Sequence, residues 1–140
     1  MKTNKILLGG LAGGVAFFLL GWLIYGMVMM DYMMANQNQC AMRPMENMIW
    51  WALIAGNFAW GFAYAFIFSW ANINSFAGGL KAGIIIGLFI SISIDLSYFA
   101  MSTMFSGLTA VAVDVIAGTV MSGIGGGIIA QVMGMGKKEG

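Results

Sequence analysis

Two aspartates, Asp95 and Asp114, lie inside long apolar stretches and are the residues best placed to do chemistry. An aspartate near the centre of a membrane helix costs about 2.5 to 3.5 kcal/mol on insertion scales, so such residues usually face a partner, a helix contact or water. The cationic Lys81 lies fourteen residues from Asp95, which is about 21 Å along a helix. Two close carboxylates without a counter-charge would share a proton, bind a cation or be separated by a water-filled cavity.

The spacing of the polar residues predicts that three of them share one depth. Asp95 and Asp114 are nine and ten residues from a short turn near Met104. Asn57 is nine residues beyond Met48, where the second apolar run begins. At 1.5 Å per helical residue, all three lie about 14 Å from the same boundary. We therefore expect Asp95, Asp114 and Asn57 to share one depth inside the helix assembly, and the spacing leaves open whether the two carboxyls touch.

Small residues at a spacing of four accompany each of these polar residues. Such rows let helix backbones approach closely, so the polar groups are expected to point into helix contacts. A spacing of four drifts about 40° per step, so Asp95 should share a face with Ser91 far better than with Gly79. The rows are Gly87, Ser91 and Asp95; Asp114, Gly118, Ser122 and Gly126; and Asn57, Gly61 and Ala65. The candidate ion- or proton-binding residues are Asp95, Asp114, Asn57 and Ser91.

A purely structural role is the alternative for these residues. A protonated Asp95 would bond to Asn57 or Ser91, while Asp114 would be hydrated near the headgroups, and both would only lock helix packing. The first apolar run also has Gly9, Gly10, Gly13 and Gly14, two overlapping pairs at a spacing of four. These glycines serve packing within the chain or dimerisation, and the sequence leaves both open.

A methionine-rich stretch offers a second, weaker candidate site. Thioether and thiolate sulfur prefer soft ions such as Cu(I), and Cys40 is the only cysteine. Met42, Met45 and Met48 recur every third residue, so a helix beginning near Pro44 would place them along one side. However, fourteen methionines are spread through the whole chain, which favours an apolar filling role. No resident cofactor is expected.

The elements that must position these residues follow from composition. A chain of 140 residues that is 61% hydrophobic and 8% charged lacks the polar surface of a soluble globule. Four apolar runs, at about 6–30, 48–70, 82–101 and 108–135, are each near or above the ~20 residues that cross a bilayer. The sequence predicts an all-α polytopic membrane protein: one domain, 1–140, of four antiparallel transmembrane helices.

Composition also excludes several classes of function. Charge is sparse and balanced, with six Lys and Arg against five Asp and Glu, so nucleic acid is an improbable partner. Histidine is absent and cysteine occurs once, which removes bis-histidine haem, zinc clusters and intrachain disulfides. Two carboxylates could do acid–base work on a lipid, but no nucleophile or phosphate-binding cluster accompanies them. We expect a protein that is not an enzyme.

The distribution of charged residues predicts the orientation. With a cytoplasmic N-terminus, a single cation, Arg43, falls outside, and the positive-inside rule selects that arrangement. The C-terminus is then also cytoplasmic, and the methionine-rich loop 31–47 faces the periplasm or exterior. The residues then on the cytoplasmic side are Lys2, Lys5, Lys81, Lys137 and Lys138.

Two apolar motifs carry a resemblance. They are "GWLIYGMVMMDYM" at 21–33 and "WWALIAGNFAWGFAYAFIF" at 50–68. With them, the chain resembles a group of small, uncharacterised four-helix bacterial membrane proteins that share a domain of unknown function. The resemblance implies a four-span protein of the bacterial inner membrane and brings no activity or site residues.

Two functional hypotheses follow. In the first, the protein is a small transporter or channel-like protein in which Asp95 and Asp114 bind a proton or cation. In the second, it is a non-transporting accessory or structural subunit whose glycine-rich faces dock onto a larger membrane complex. The lipid bilayer is the expected environment in both, with a homo-oligomer or a larger complex as the expected assembly.

Overall fold

The computed structural model describes residues 2–38, 43 and 45–135, except for the side chains of Lys2 and Met45. The described residues form helices and contain no strand, apart from one isolated antiparallel bridge between Gln37 and Phe105. The elements are α1 (Lys2–Leu23), which continues into a π-helical segment (Ile24–Val28), α2 (Met30–Asn36), a 3₁₀ turn (Met45–Asn47), α3 (Trp50–Ala71), α4 (Phe76–Met101) and α5 (Leu108–Gly134).

Four helices are long and apolar enough to cross a membrane. They are Thr3–Val28, Trp50–Ala71, Phe76–Met101 and Leu108–Gly134. Many large apolar side chains on these helices point outward, which in water would be costly and in lipid is not. The prediction of an all-helical chain with four helices long and apolar enough to cross a membrane is confirmed.

The helices α3 and α4 are joined more tightly than the sequence indicated. Helix α4 already begins at Phe76, six residues before the predicted start of the third span at 82. Ser75 caps α4, because its hydroxyl accepts a hydrogen bond of 3.2 Å from the Gly78 N–H. On the other side, Asn72 ends α3 in the left-handed region at φ 56°. Two glycines near the helix start therefore belong to the helix and not to the loop.

The methionine-rich stretch is partly helical and pairs with the connection between α4 and α5. After α2, the Asn38 N–H donates to the Met104 carbonyl at 2.7 Å, and the Ser106 N–H donates to the Asn36 carbonyl at 3.0 Å. The Asn38 side chain also donates to the Thr103 hydroxyl at 3.1 Å. These bonds hold the segment after α2 against the turn 102–107.

The long helices do not contact one another equally. Helix α5 packs along α4 and also against α1, and α1 packs along α3. The backbones of α3 and α4 hardly approach each other. One side of the assembly, between α3 and α4, is therefore open.

The α4–α5 contact is made by backbone against backbone. A Cβ atom at Gly79 would overlap the Gly126 carbonyl oxygen, and one at Gly83 would overlap the Ser122 carbonyl oxygen. Gly118 faces the Ser91 hydroxyl further along. The row therefore stays in contact with α5 from Gly79 to Ser91. The reason is that α5 presents its own row at the same spacing, so the two rows follow each other.

The glycines of α1 are used inside the chain. A Cβ atom at Gly61 of α3 would overlap the Gly14 nitrogen, and it would lie 2.6 Å from the Gly10 carbonyl oxygen. Gly13 packs against Ile129 of α5, and Gly9 against Met133. Of the two roles left open by the sequence, these contacts supply the first, packing within the chain.

Candidate functional site

A cavity of about 210 Å³ lies where all four long helices meet the open side between α3 and α4. The four candidate residues of the sequence analysis, Asn57, Ser91, Asp95 and Asp114, all line it. Helices α4 and α5 supply the acidic wall, and α1 and α3 supply an aromatic wall. The described residues that line the cavity are Phe17, Tyr25, Asn57, Trp60, Tyr64, Gly87, Ile90, Ser91, Ile94, Asp95, Asp114, Gly118, Met121 and Ser122.

Asp95 is the more deeply buried of the two acids. Its side chain is only 7% exposed, and the oxygen Oδ2 is buried with no hydrogen-bond partner among the described residues. Its immediate neighbour is the Asp114 side chain, close enough for a hydrogen bond once one of the two carboxyls carries a proton. An unsatisfied carboxyl oxygen in a membrane helix costs free energy. The packing of the surrounding fold must therefore offset the cost of holding Asp95 there.

Asp114 is half-buried and forms the link between Asp95 and the first helix. The side chain of Tyr25 lies beside it. Tyr25 belongs to the π-helical segment, in which the Met29 N–H donates to the Ile24 carbonyl five residues back, at 2.8 Å. Such π-helical segments are rare in proteins, and many of those that occur lie at functional sites. The extra residue in this turn changes the helical phase of the residues that follow it.

Asn57 and Ser91 line the cavity without bonding to the acids. The Asn57 amide donates to the Leu53 carbonyl of its own helix at 2.8 Å. The Ser91 hydroxyl lies against the backbone of Gly118. Among the described residues, Asp95 therefore has neither of the two partners that the structural alternative requires, and its neighbour is a second acid.

Three residues of this site were missed by sequence reasoning. Tyr64 of α3 and Ser122 of α5 join their hydroxyls in a buried hydrogen bond, and Tyr25 lies beside Asp114. Tyr64 lies seven residues after Asn57, so a helical face through Asn57 and Gly61 could have revealed it. Tyr25 lies eight residues after Phe17, so the helical face through Phe17 and Gly21 could have revealed it.

Aromatic rings pack around the ring of Tyr64. The ring of Tyr64 meets Phe17 edge to face at 5.3 Å between centroids, Phe68 at 5.7 Å and Trp60 at 6.2 Å. Tyr64 is only 2% exposed, whereas Trp60 is 45% exposed. The aromatic wall therefore runs from a buried core to the outer surface of the assembly.

The weaker soft-metal site is only partly covered by the structure. Cys40 and Met42 lie outside the described residues, as does the side chain of Met45. The described backbone forms a 3₁₀ turn at Met45–Asn47, and Met48 follows it outside any helix. A regular helix running through Met48, which the proposed alignment of sulfurs needs, is therefore not formed there.

The sequence was compared with known proteins in three ways. A scan against protein-family models found no match, and searches of curated proteins and of solved structures found no significant match. The resemblance to small four-helix membrane proteins stays a prediction. The function must therefore be argued from the cavity and its side chains.

The chemistry open to this cavity is set by its charge. Two carboxyls line it, and none of the described lining residues is Lys or Arg. Neighbouring carboxylates in a medium of low dielectric repel each other strongly, so the pair is stabilised by a shared proton or a bound cation. The hydroxyl of Tyr25 adds a donor beside Asp114.

Proposed function

We propose that this chain is a small proton- or cation-coupled transporter or channel-like protein that binds its ion at Asp95 and Asp114. The observation that carries the proposal is the neighbouring placement of these two carboxyls at a cavity with no basic side chain among its described lining residues. Ionisable residues inside membrane spans are expensive and commonly mark ion pathways or proton relays. Asn57 and Ser91 contribute polar groups to the same cavity wall.

The proposal includes four antiparallel spans with both termini at the cytoplasmic face of a bacterial inner membrane. The order of contacts supports this arrangement: Gly79 meets Gly126, while Ser91 meets Gly118, so the two helices run past each other in opposite directions. The charge distribution supports the orientation, because Arg43 is the only cation that it places outside.

The single cysteine allows a direct test of orientation. A membrane-impermeant maleimide should label Cys40 in intact cells whose outer membrane has been made permeable. A matched control, Ser75→Cys in a Cys40→Ser background, places the thiol at the α3–α4 connection and should react only after the inner membrane is opened. Labelling with the opposite pattern would reverse the proposed topology.

Flux in liposomes tests the ion-binding role. The purified protein should dissipate a pH gradient, followed with an internal pH-sensitive dye, and the double variant Asp95→Asn, Asp114→Asn should abolish this flux. Asparagine keeps the shape of aspartate but removes its titration. Asp31→Asn, an exposed acid on α2, is the matched control and should transport like the wild type. Equal flux through the double variant and the wild type would contradict the proposal.

A direct optical measurement separates binding from transport. A protonated carboxyl absorbs at a higher infrared frequency than a carboxylate, so hydrogen–deuterium difference spectra should show a carboxyl band that the double variant lacks. This band would show a proton at the pair even in a protein that conducts slowly. Its absence in the wild type, with no sign of cation binding, would mean that the acids are only structural.

A further inference from the structure

The walls of the cavity combine two kinds of chemistry that suit one class of ligand. Asp95 and Asp114 supply negative charge, and the rings of Tyr64, Trp60 and Phe17 line the same space. Aromatic faces attract cations through their quadrupole, and this attraction is strongest when the cation is desolvated. A ligand held here would meet a carboxyl on one side and aromatic surface on the other.

An inorganic cation makes poor use of such a cavity. Divalent ions take six or more oxygen ligands, and Mg²⁺ gives up water reluctantly. Here the hydroxyls of Tyr64 and Ser122 are bonded to each other, and the Asn57 amide bonds to its own helix. Much of the remaining wall is aromatic or aliphatic, with Met121 among its residues. An organic cation has an apolar body, so it loses little hydration free energy on contact with this wall.

The size of the cavity limits the ligand further. Its volume of about 210 Å³ is several times the ~30 Å³ of one liquid water. It is smaller than the ~300 to 1,000 Å³ typical of pockets for drug-sized ligands. The cavity therefore has room for a small molecule.

We propose that the cavity between α3 and α4 binds a small organic cation, a quaternary or protonated amine with an apolar body, through its carboxyl pair and its aromatic wall. The inference rests on the proposed function, since it names the class of cation that the site takes. Asp114 is half-buried and presents charge to the ligand. The deeply buried Asp95 lies beside Asp114 and adds the second carboxyl.

The open side of the assembly supplies a route for such a ligand. The backbones of α3 and α4 lie apart, and Trp60 and Ile94, which line the cavity from these two helices, are 45% and 44% exposed. An amphipathic amine that partitions into the membrane would reach the carboxyl pair sideways between these helices. A strongly hydrated metal ion has no equivalent route through lipid.

Calorimetric titration of the full chain in detergent micelles tests the proposal. The probe is benzyltrimethylammonium, with uncharged neopentylbenzene of the same shape as the comparison and sodium chloride as the ionic control. We expect saturable binding of the ammonium compound alone. Trp60→Leu should raise its Kd about 2- to 30-fold through loss of the aromatic face. The double variant Asp95→Asn, Asp114→Asn should abolish binding.

A matched control isolates the role of the aromatic wall. Trp70→Leu makes the same substitution at a residue that is 78% exposed and does not line the cavity, and it should leave the Kd unchanged. Equal binding of the uncharged compound, or an unchanged Kd in Trp60→Leu, would overturn the proposal. A wild type that shows the infrared carboxyl band and proton flux but binds no ammonium compound would retain the proposed function and reject the organic cation.

Discussion

The two sides of α4 differ in what they bring together. Towards α5, glycines allow the two backbones to touch, and an added methyl group at Gly79 has no space. Towards α3, the neighbouring wall carries the large rings of Trp60 and Tyr64, and a cavity remains between the helices. Small residues let α4 and α5 pack closely. Large residues of α3, whose rings pack on one another, keep α3 and α4 apart.

This difference shows where a membrane helix can accommodate polar groups. Lipid is as apolar as a leucine side chain, so helices associate through close packing and polar contacts and not through burial of apolar area. The tight α4–α5 contact provides the rigid support, and Asp95 and Asp114 lie near its end, where it borders the cavity. The acids thus lie at the end of the closed side and line the cavity on the open side.

The largest expected effect comes from filling the closed side. Gly79→Ala should destabilise the protein by about 1 to 3 kcal/mol, because the new methyl group meets the Gly126 carbonyl and Ala130, and backbone must move. Gly56→Ala is the matched control, since nothing lies within 4 Å of its added methyl group, and it should gain up to about 1 kcal/mol. Unfolding in SDS, followed by circular dichroism, measures both. Similar values for the two variants would contradict a closed α4–α5 contact.

A smaller effect is expected where α3 is tied to α5 behind the cavity. Tyr64→Phe removes the hydroxyl that bonds to Ser122 and should cost about 0.5 to 1.5 kcal/mol. Tyr98→Phe, at a tyrosine that is 48% exposed and has no hydroxyl partner among the described residues, should change the unfolding free energy far less. Equal losses in the two variants would show that the buried bond adds nothing to the packing of α3.

The smallest effect is expected on the open side itself. Ile94→Phe adds a ring beside the cavity at a residue that is 44% exposed, so it should change the unfolding free energy by less than about 0.5 kcal/mol. The same SDS titration applies. A loss as large as that of Gly79→Ala would mean that α3 and α4 are packed tightly here, and the contrast between the two sides would be wrong.

The helical architecture could be predicted from composition because the length of an apolar run decides whether a helix can cross a bilayer. The common depth of Asp95 and Asp114 could be predicted as well, since a short turn fixes how far each residue lies from it, whereas their direct contact could not. Small residues at a spacing of four correctly indicated the α4–α5 contact. These inferences use only helix rise and the local spacing of residues.

Other features depend on contacts that no single helix encodes. The early start of α4 at Phe76 depends on the Ser75 cap and on the fit of Gly79 against α5. The bond between Tyr64 and Ser122 depends on how α3 and α5 are placed. The methionine-rich stretch drew attention through its composition, yet the described part of it is short helix and loop bound to the turn 102–107.

The π-helical segment Ile24–Val28 has a consequence for insertions and deletions in the chain. A π-helical ring contains one residue more than an α-helical ring. Removing one residue within this segment would therefore restore regular α-helix without interrupting the span, whereas a deletion elsewhere in α1 would shift its glycines off α3 and α5. The segment is the position in the first span where a change in length can be absorbed.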